Sequence, residues 1–210
     1  MIRLLFILLA MMSSWPLLAQ TKLTAEQQKQ IIAKIDQTAS AMKGMQCDFV
    51  QTKRMKLLSK EMQSKGIMYF KRPNKLRWQY IAPYDYTFIL NGDKVQIKSS
   101  KSTKNIDVQG NKMFRQITNI ILNSVTGGSL KSSSDFTVEV YKKDNTYFAK
   151  LFPKKKELKQ LYQVIEIYFD SALTMVNSVR MVEKTGDETR VNLINTKLNI
   201  TVDDKMFAVN

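Results

Sequence analysis

Apolar and polar positions along this chain change period more than once. From Thr24 onward, Ile31, Ile32, Ile35, Ala39 and Met42 recur at three- and four-residue intervals, the stripe of an amphipathic helix. Thr24 with Gln27 reads as a capping box, Glu26 suits the first turn, and Gly44 is expected at the C′ position. Beyond Gly44 the period drops to two, with Met45, Cys47 and Phe49 alternating against Gln46, Asp48 and Val50. Strands are predicted over 45–54, 62–71, 76–81, 84–90 and 94–98, with Asn91-Gly92-Asp93 as a hairpin turn and a short strand at 106–108. Residues 99–104 read as a polar loop. Helical spacing returns over 113–125, where Phe114, Ile117, Ile120, Ile121 and Val125 share a face ahead of Gly127-Gly128. Further strands are predicted over 136–141, 147–152, 162–169, 175–183 and 189–198, and a short one near Phe207. Lys143-Asp144-Asn145 and Thr185-Gly186-Asp187 supply turns between them.

The fold class is therefore α+β, mainly β: a helix, a run of antiparallel strands, a second helix and more strands. A meander of roughly ten or eleven strands curls strongly or closes. The two helices then need a surface for their apolar faces, and the concave side of the curled sheet offers one. Gly66 falls inside a strand, which predicts a bulge or sharp bend.

The first residues belong to a different physical class. Arg3 precedes the apolar run Leu4–Met12, and Leu17-Leu18-Ala19 places a small residue before Gln20. This pattern predicts a secretory signal peptide over residues 1–19, cleaved after Ala19, with residues 20–210 forming a single exported domain. The apolar run is too short to span a bilayer, and Gln20 is no site for lipid attachment.

Composition narrows the chemistry. The chain has no histidine and one cysteine, Cys47, so the commonest general base, a zinc site and an internal disulfide are all missing. No phosphate-binding glycine loop and no nucleophile signature is present. The expectation is a binding protein: no catalytic residues, no metal and no cofactor. Cys47 reads as a small core residue. A net charge of +15 points to anionic partners, and export makes nucleic acid the weakest of these. The same lysines would also serve to protect sheet edges and keep the chain soluble.

Residues 49–95 carry a more specific pattern. "FVQTK", "GIMYFKRPNKLRWQY" and "APYDYTFILNGDKV" place Phe49, Gln51, Gly66, Phe70, Arg72, Pro73, Trp78, Pro83, Gly92 and Val95 in an ordered series. This series resembles the LolA-type periplasmic carriers of outer-membrane lipoproteins, and the order of helices and strands agrees from residue 24 onward. The resemblance implies a half-open β-barrel, lidded by helices, around a cavity for acyl chains. It implies a monomeric periplasmic protein with acylated lipoproteins as cargo. Its partners would be an inner-membrane lipoprotein-releasing ABC transporter complex and an outer-membrane acceptor. It further assigns Arg72 as the latch that hydrogen-bonds the lid; on the residues alone, an ordinary rim arginine before a strand-ending Pro73 is the simpler reading.

Strand parity then suggests the acyl-chain cavity. With Arg72 pointing inward, Met68 and Phe70 follow on one strand, and Leu76, Trp78 and Tyr80 on the next. Phe88 and Leu90, with Phe49 from the first strand, continue this face. The first helix would add Ile35 and Met42, and the second Phe114, Ile117 and Ile121. Nine of the twelve methionines lie beyond residue 19, which suits a cavity for variable chains. A filled core would show the same pattern. Two other readings of the chain stand beside the carrier: an envelope lipid-sensing regulator of the same fold, and a secreted module that binds polyanions or lipid through its lysines.

Overall fold

In the computed structural model, the structure describes residues 20–107, 119–123, 126, 130 and 134–209. Helix α1 (Ala25–Ala41) starts as the sequence dictates: Gln27 N–H donates to Thr24 Oγ1 at 3.3 Å and Thr24 N–H donates back to Gln27 Oε1 at 3.0 Å. Its end differs from expectation. The cap is Met42 in an extended conformation, and Gly44 opens the next strand. Gly44 is required there because a Cβ would stand 2.5 Å from the Ile200 carbonyl oxygen, a close approach of two backbones rather than a left-handed cap.

Around α1 winds one twelve-stranded antiparallel sheet. Its strands are β1 (Thr21–Lys22), β2 (Gly44–Met55), β3 (Lys60–Lys71), β4 (Lys75–Ala82), β5 (Tyr86–Asn91) and β6 (Lys94–Ser99), then β7 (Thr103–Asp107). The second half supplies β8 (Phe136–Lys143), β9 (Thr146–Pro153), β10 (Tyr162–Phe169), β11 (Val176–Glu183) and β12 (Glu188–Leu198). In space the order is β1-β8-β9-β10-β11-β12-β2-β3-β4-β5-β6-β7, so the sheet curls without closing and β1 and β7 are its edges. The two-residue β1 was too short to read from the sequence, and β7 begins earlier than the strand expected at 106–108.

Residues 119–123 (α2) are helical and belong to the stretch predicted over 113–125; Phe114 and Ile117 lie outside the described residues. A helix that the sequence pattern did not reveal, α3 (Lys156–Leu161), joins β9 to β10 and buries only Leu158. The strand expected near Phe207 is instead a 3-10 helix (Asp204–Phe207), because the Asp203 side chain accepts from Lys205 N–H and turns the backbone. This C-terminal segment packs on the convex face, where Phe207 is fully buried with Ile89 and Val202.

Gly66 does mark a break in register, between Lys65 and Gly66 where β3 pairs with β4. A Cβ there would meet the Gln79 carbonyl oxygen at 1.9 Å and the Phe49 ring at 2.6 Å. Its absence lets the Phe49 ring lie against the strand.

Candidate functional site

The concave face is packed at one end and open at the other. At the packed end, Ile35 and Met42 of α1 meet Met45, Phe70, Leu76 and Leu90 in the main core. Toward the other end the side chains part around an apolar cavity of about 350 Å³. Trp78, Tyr80, Tyr86 and Phe88 of β4 and β5 form one wall. Val179, Met181, Val191 and Leu193 of β11 and β12 form the opposite wall, and Ile120 and Ile121 of α2 cover it. None of the described residues that line it carries a charge.

The aromatic wall is set from below by Phe49, whose ring lies 4.6 Å from Trp78 and 5.1 Å, edge-on, from Tyr80. Such ring contacts contribute beyond simple burial, so the missing side chain at Gly66 positions the whole wall. Where the cavity opens, the Tyr80 hydroxyl donates to Gln51 Oε1 at 2.8 Å. Burial pushes the Tyr80 phenol above its usual range, with the Trp78 and Gln51 side chains partly offsetting the effect. Burial does the same to Tyr86 and, with the Glu183 carboxylate, to Tyr162. These phenols therefore stay neutral at ordinary pH. Gln51, Tyr80 and Tyr86 also line a second, more open pocket of about 560 Å³, which reaches Lys53, Met62, Tyr84 and Asp85. Among the described residues, polarity thus rises from an uncharged interior to a charged mouth.

Arg72 sits at the β3–β4 turn, at the packed end. Its Nε donates to the Met42 carbonyl at 2.9 Å, and its Nη2 donates to the Ala39 carbonyl. These are carbonyls at the C-terminus of α1, which has no basic residue in its own last turn. Arg72 therefore supplies both the missing donors and the cation that a helix C-terminus favours. Its backbone adds a bond from Arg72 N–H to the Lys43 carbonyl, 3.0 Å.

Of the residues expected to line a cavity, Trp78, Tyr80, Phe88 and Ile121 do so. Ile35, Met42, Phe49, Met68, Phe70, Leu76 and Leu90 are instead buried in the close-packed core. Parity identified the correct face, but it says nothing of depth along the barrel. Gln51 and the β11–β12 wall were missed. Gln51 shares parity with Phe49, so a polar residue on an inward face was the available signal. The opposite wall had none, because its placement depends on the curl of the whole sheet.

Comparison with known proteins agrees with this architecture. The model of the family described as outer membrane lipoprotein carrier protein LolA matches residues 40–210. An outer-membrane lipoprotein carrier protein of Methylococcus capsulatus is 27% identical over 172 residues, covering 78% of this chain and 75% of that one. One from Pseudomonas aeruginosa is 27% identical over 143 residues, covering 68% of this chain and 65% of that one. A solved structure of a conserved protein from Thermus thermophilus shares the fold, with a TM-score of 0.52 at 9% identity over 88% of this chain and 94% of that one.

Proposed function

The chain belongs to the outer membrane lipoprotein carrier family LolA, and from that membership we propose that it carries lipoproteins between membranes by holding their acyl chains in its cavity. The observation that supports this reading is the cavity under α2, whose described lining carries no charge, walled by Trp78, Tyr80 and Phe88 on one side and Val179 and Met181 on the other. In this reading residues 20–210 are the mature periplasmic domain, and the protein acts by binding and release without catalysis.

The energetics explain why such a protein is needed. A triacylated N-terminus carries roughly forty-five methylenes, each worth about 0.8 kcal/mol on transfer from water. Free diffusion through water is excluded on that scale. The cavity continues into the open pocket through Gln51, Tyr80 and Tyr86, which line both, so acyl chains have a path from the mouth to the interior. Arg72 is the assigned latch, because its two bonds hold the C-terminus of α1 to the sheet. Hydrogen bonds to charged groups contribute about 1.5–3 kcal/mol each, a size that both holds a lid and lets it open. Cargo would arrive from an inner-membrane ABC transporter complex and leave to an outer-membrane acceptor.

The test uses purified residues 20–210 incubated with spheroplasts that hold newly made lipoproteins. Mass spectrometry of the soluble fraction should find intact acylated proteins bound to the chain in stoichiometric amounts. Recovery of free lipid, of glycan or of nothing would refute the carrier reading.

A further inference from the structure

The β2–β3 hairpin breaks the usual chemistry of a turn. Tight turns favour Gly, Asn, Asp, Pro or Ser, yet this one reads Lys56-Leu57-Leu58-Ser59 between Met55 and Lys60, with Ser59 alone of a favoured type. Leu57 is 90% exposed and Leu58 67% exposed, at the apex of two twelve-residue strands paired end to end. Ser59 takes a positive φ of 46°, an uncommon conformation for a residue with a side chain. Single exposed apolar residues are ordinary. Two adjacent leucines at an apex, in place of the residues that would make the turn easily, are a local conflict of the kind found at functional sites.

The surroundings indicate what covers them. Lys56 and Lys60 flank the leucines, and neither ammonium has a carboxylate within ion-pair range among the described residues. Exposed Lys184 stands in the adjacent β11–β12 turn, whose Asp187 carboxylate accepts from Lys56 N–H at 3.0 Å and fixes the root of the hairpin. On the same rim, Tyr84 is 56% exposed and lines the mouth of the open pocket. Two apolar side chains at a protruding apex with a collar of lysines complement an anionic lipid surface: leucines enter the acyl boundary while ammonium groups meet the headgroups.

We propose that the β2–β3 tip docks this protein on anionic bilayers, inserting Leu57 and Leu58 and setting Lys56 and Lys60 on the headgroups. Because the tip rises from the rim where the polar pocket opens, docking brings the cavity mouth to the membrane surface. The inference goes beyond the carrier reading, since it concerns the empty protein and a lipid surface.

The experiment is flotation of residues 20–210, free of cargo, with vesicles of phosphatidylethanolamine and phosphatidylglycerol, and separately with vesicles of phosphatidylcholine. The wild-type chain should bind the anionic vesicles, and binding should weaken as salt rises. Leu57→Ser with Leu58→Ser should lower affinity at least tenfold, and so should Lys56→Glu with Lys60→Glu, both with unchanged circular dichroism. No wild-type binding, or undiminished binding by either double variant, overturns the proposal. So does concentration-dependent dimerisation that the serine variant abolishes without vesicle binding, which would make the tip a contact between two copies. Lipoprotein release plays no part in this measurement, so its failure and the failure of the carrier reading are separable.

Discussion

The two rims of the sheet are built on opposite principles. At one rim the chain is pinned: Arg72 ties the end of α1, and the C-terminal 3-10 helix seats Phe207 against the convex face. Lys71 and Lys75 both reach Asp204, at 2.9 and 2.8 Å, and Asn91 Nδ2 donates to the Phe207 carbonyl at 3.2 Å. At the other rim the cavity opens, phenols and a glutamine line its neck, and two leucines stand in solvent. Buried contacts carry stability, whereas exposed apolar groups do little for it. The contrast therefore separates the end that holds the fold from the end that is free to meet a partner.

Substitutions at the two rims should differ accordingly. The largest effect is expected from Phe207→Ala, which empties a fully buried aromatic site and should lower stability by about 3–5 kcal/mol in urea denaturation. A loss below about 1 kcal/mol would mean that the C-terminal segment is not part of the folded unit. Arg72→Leu should follow, at about 1–3 kcal/mol, because it removes the guanidinium bonds to the Met42 and Ala39 carbonyls and leaves Ala39 only the long bond from Met42 N–H. Amide exchange should then quicken selectively in the last turn of α1. Uniform exchange across α1 and β3 would count against a local tie.

A smaller, pH-dependent effect belongs to Asp204. Hydrogen bonds from Lys75 and Lys71 pull its carboxyl down to about 2 from an ordinary 3.8. A depressed carboxylate stabilises the fold above its unfolded value and loses that contribution as pH falls through its folded value. Asp204→Asn should therefore be less stable than wild type at pH 6, with the gap closing between pH 4 and pH 2. A gap that persisted at pH 2 would assign the effect to packing. Least affected should be Leu57→Ser, within about 0.5 kcal/mol of wild type, since that side chain touches almost nothing in the fold. A clear loss of stability there would erase the contrast between the rims.

Much of the pinned rim was legible in the sequence. Thr24 and Gln27 announced α1, whose buried Ile35 and Ala39 fell on the expected face, and Asn91-Gly92-Asp93 announced a hairpin whose glycine has a φ of 64°. Arg72 stood out through its motif, although its partners are backbone carbonyls that no residue pattern records. The open rim was harder to read. The cavity wall of β4 and β5 faces β11 and β12, about a hundred residues away along the chain, and that juxtaposition comes from the summed twist of many strands. The short α3 buries a single leucine, too little to produce a helical period. The Leu57-Leu58 pair fell between the strands expected over 45–54 and 62–71, and nothing local marks those leucines as an exposed apex.

Cys47 has a practical consequence. Its thiol is 1% exposed, and burial together with the Asp48 carboxylate pushes it up to about 12. Because the thiolate is the reactive form, this cysteine is chemically silent in the native state near neutral pH. A cysteine introduced at the hairpin tip or on α1 can therefore take a fluorescent or spin label alone, with no need to remove the native thiol from the core. With one such cysteine at each place, the protein is ready for distance measurements between α1 and the hairpin tip.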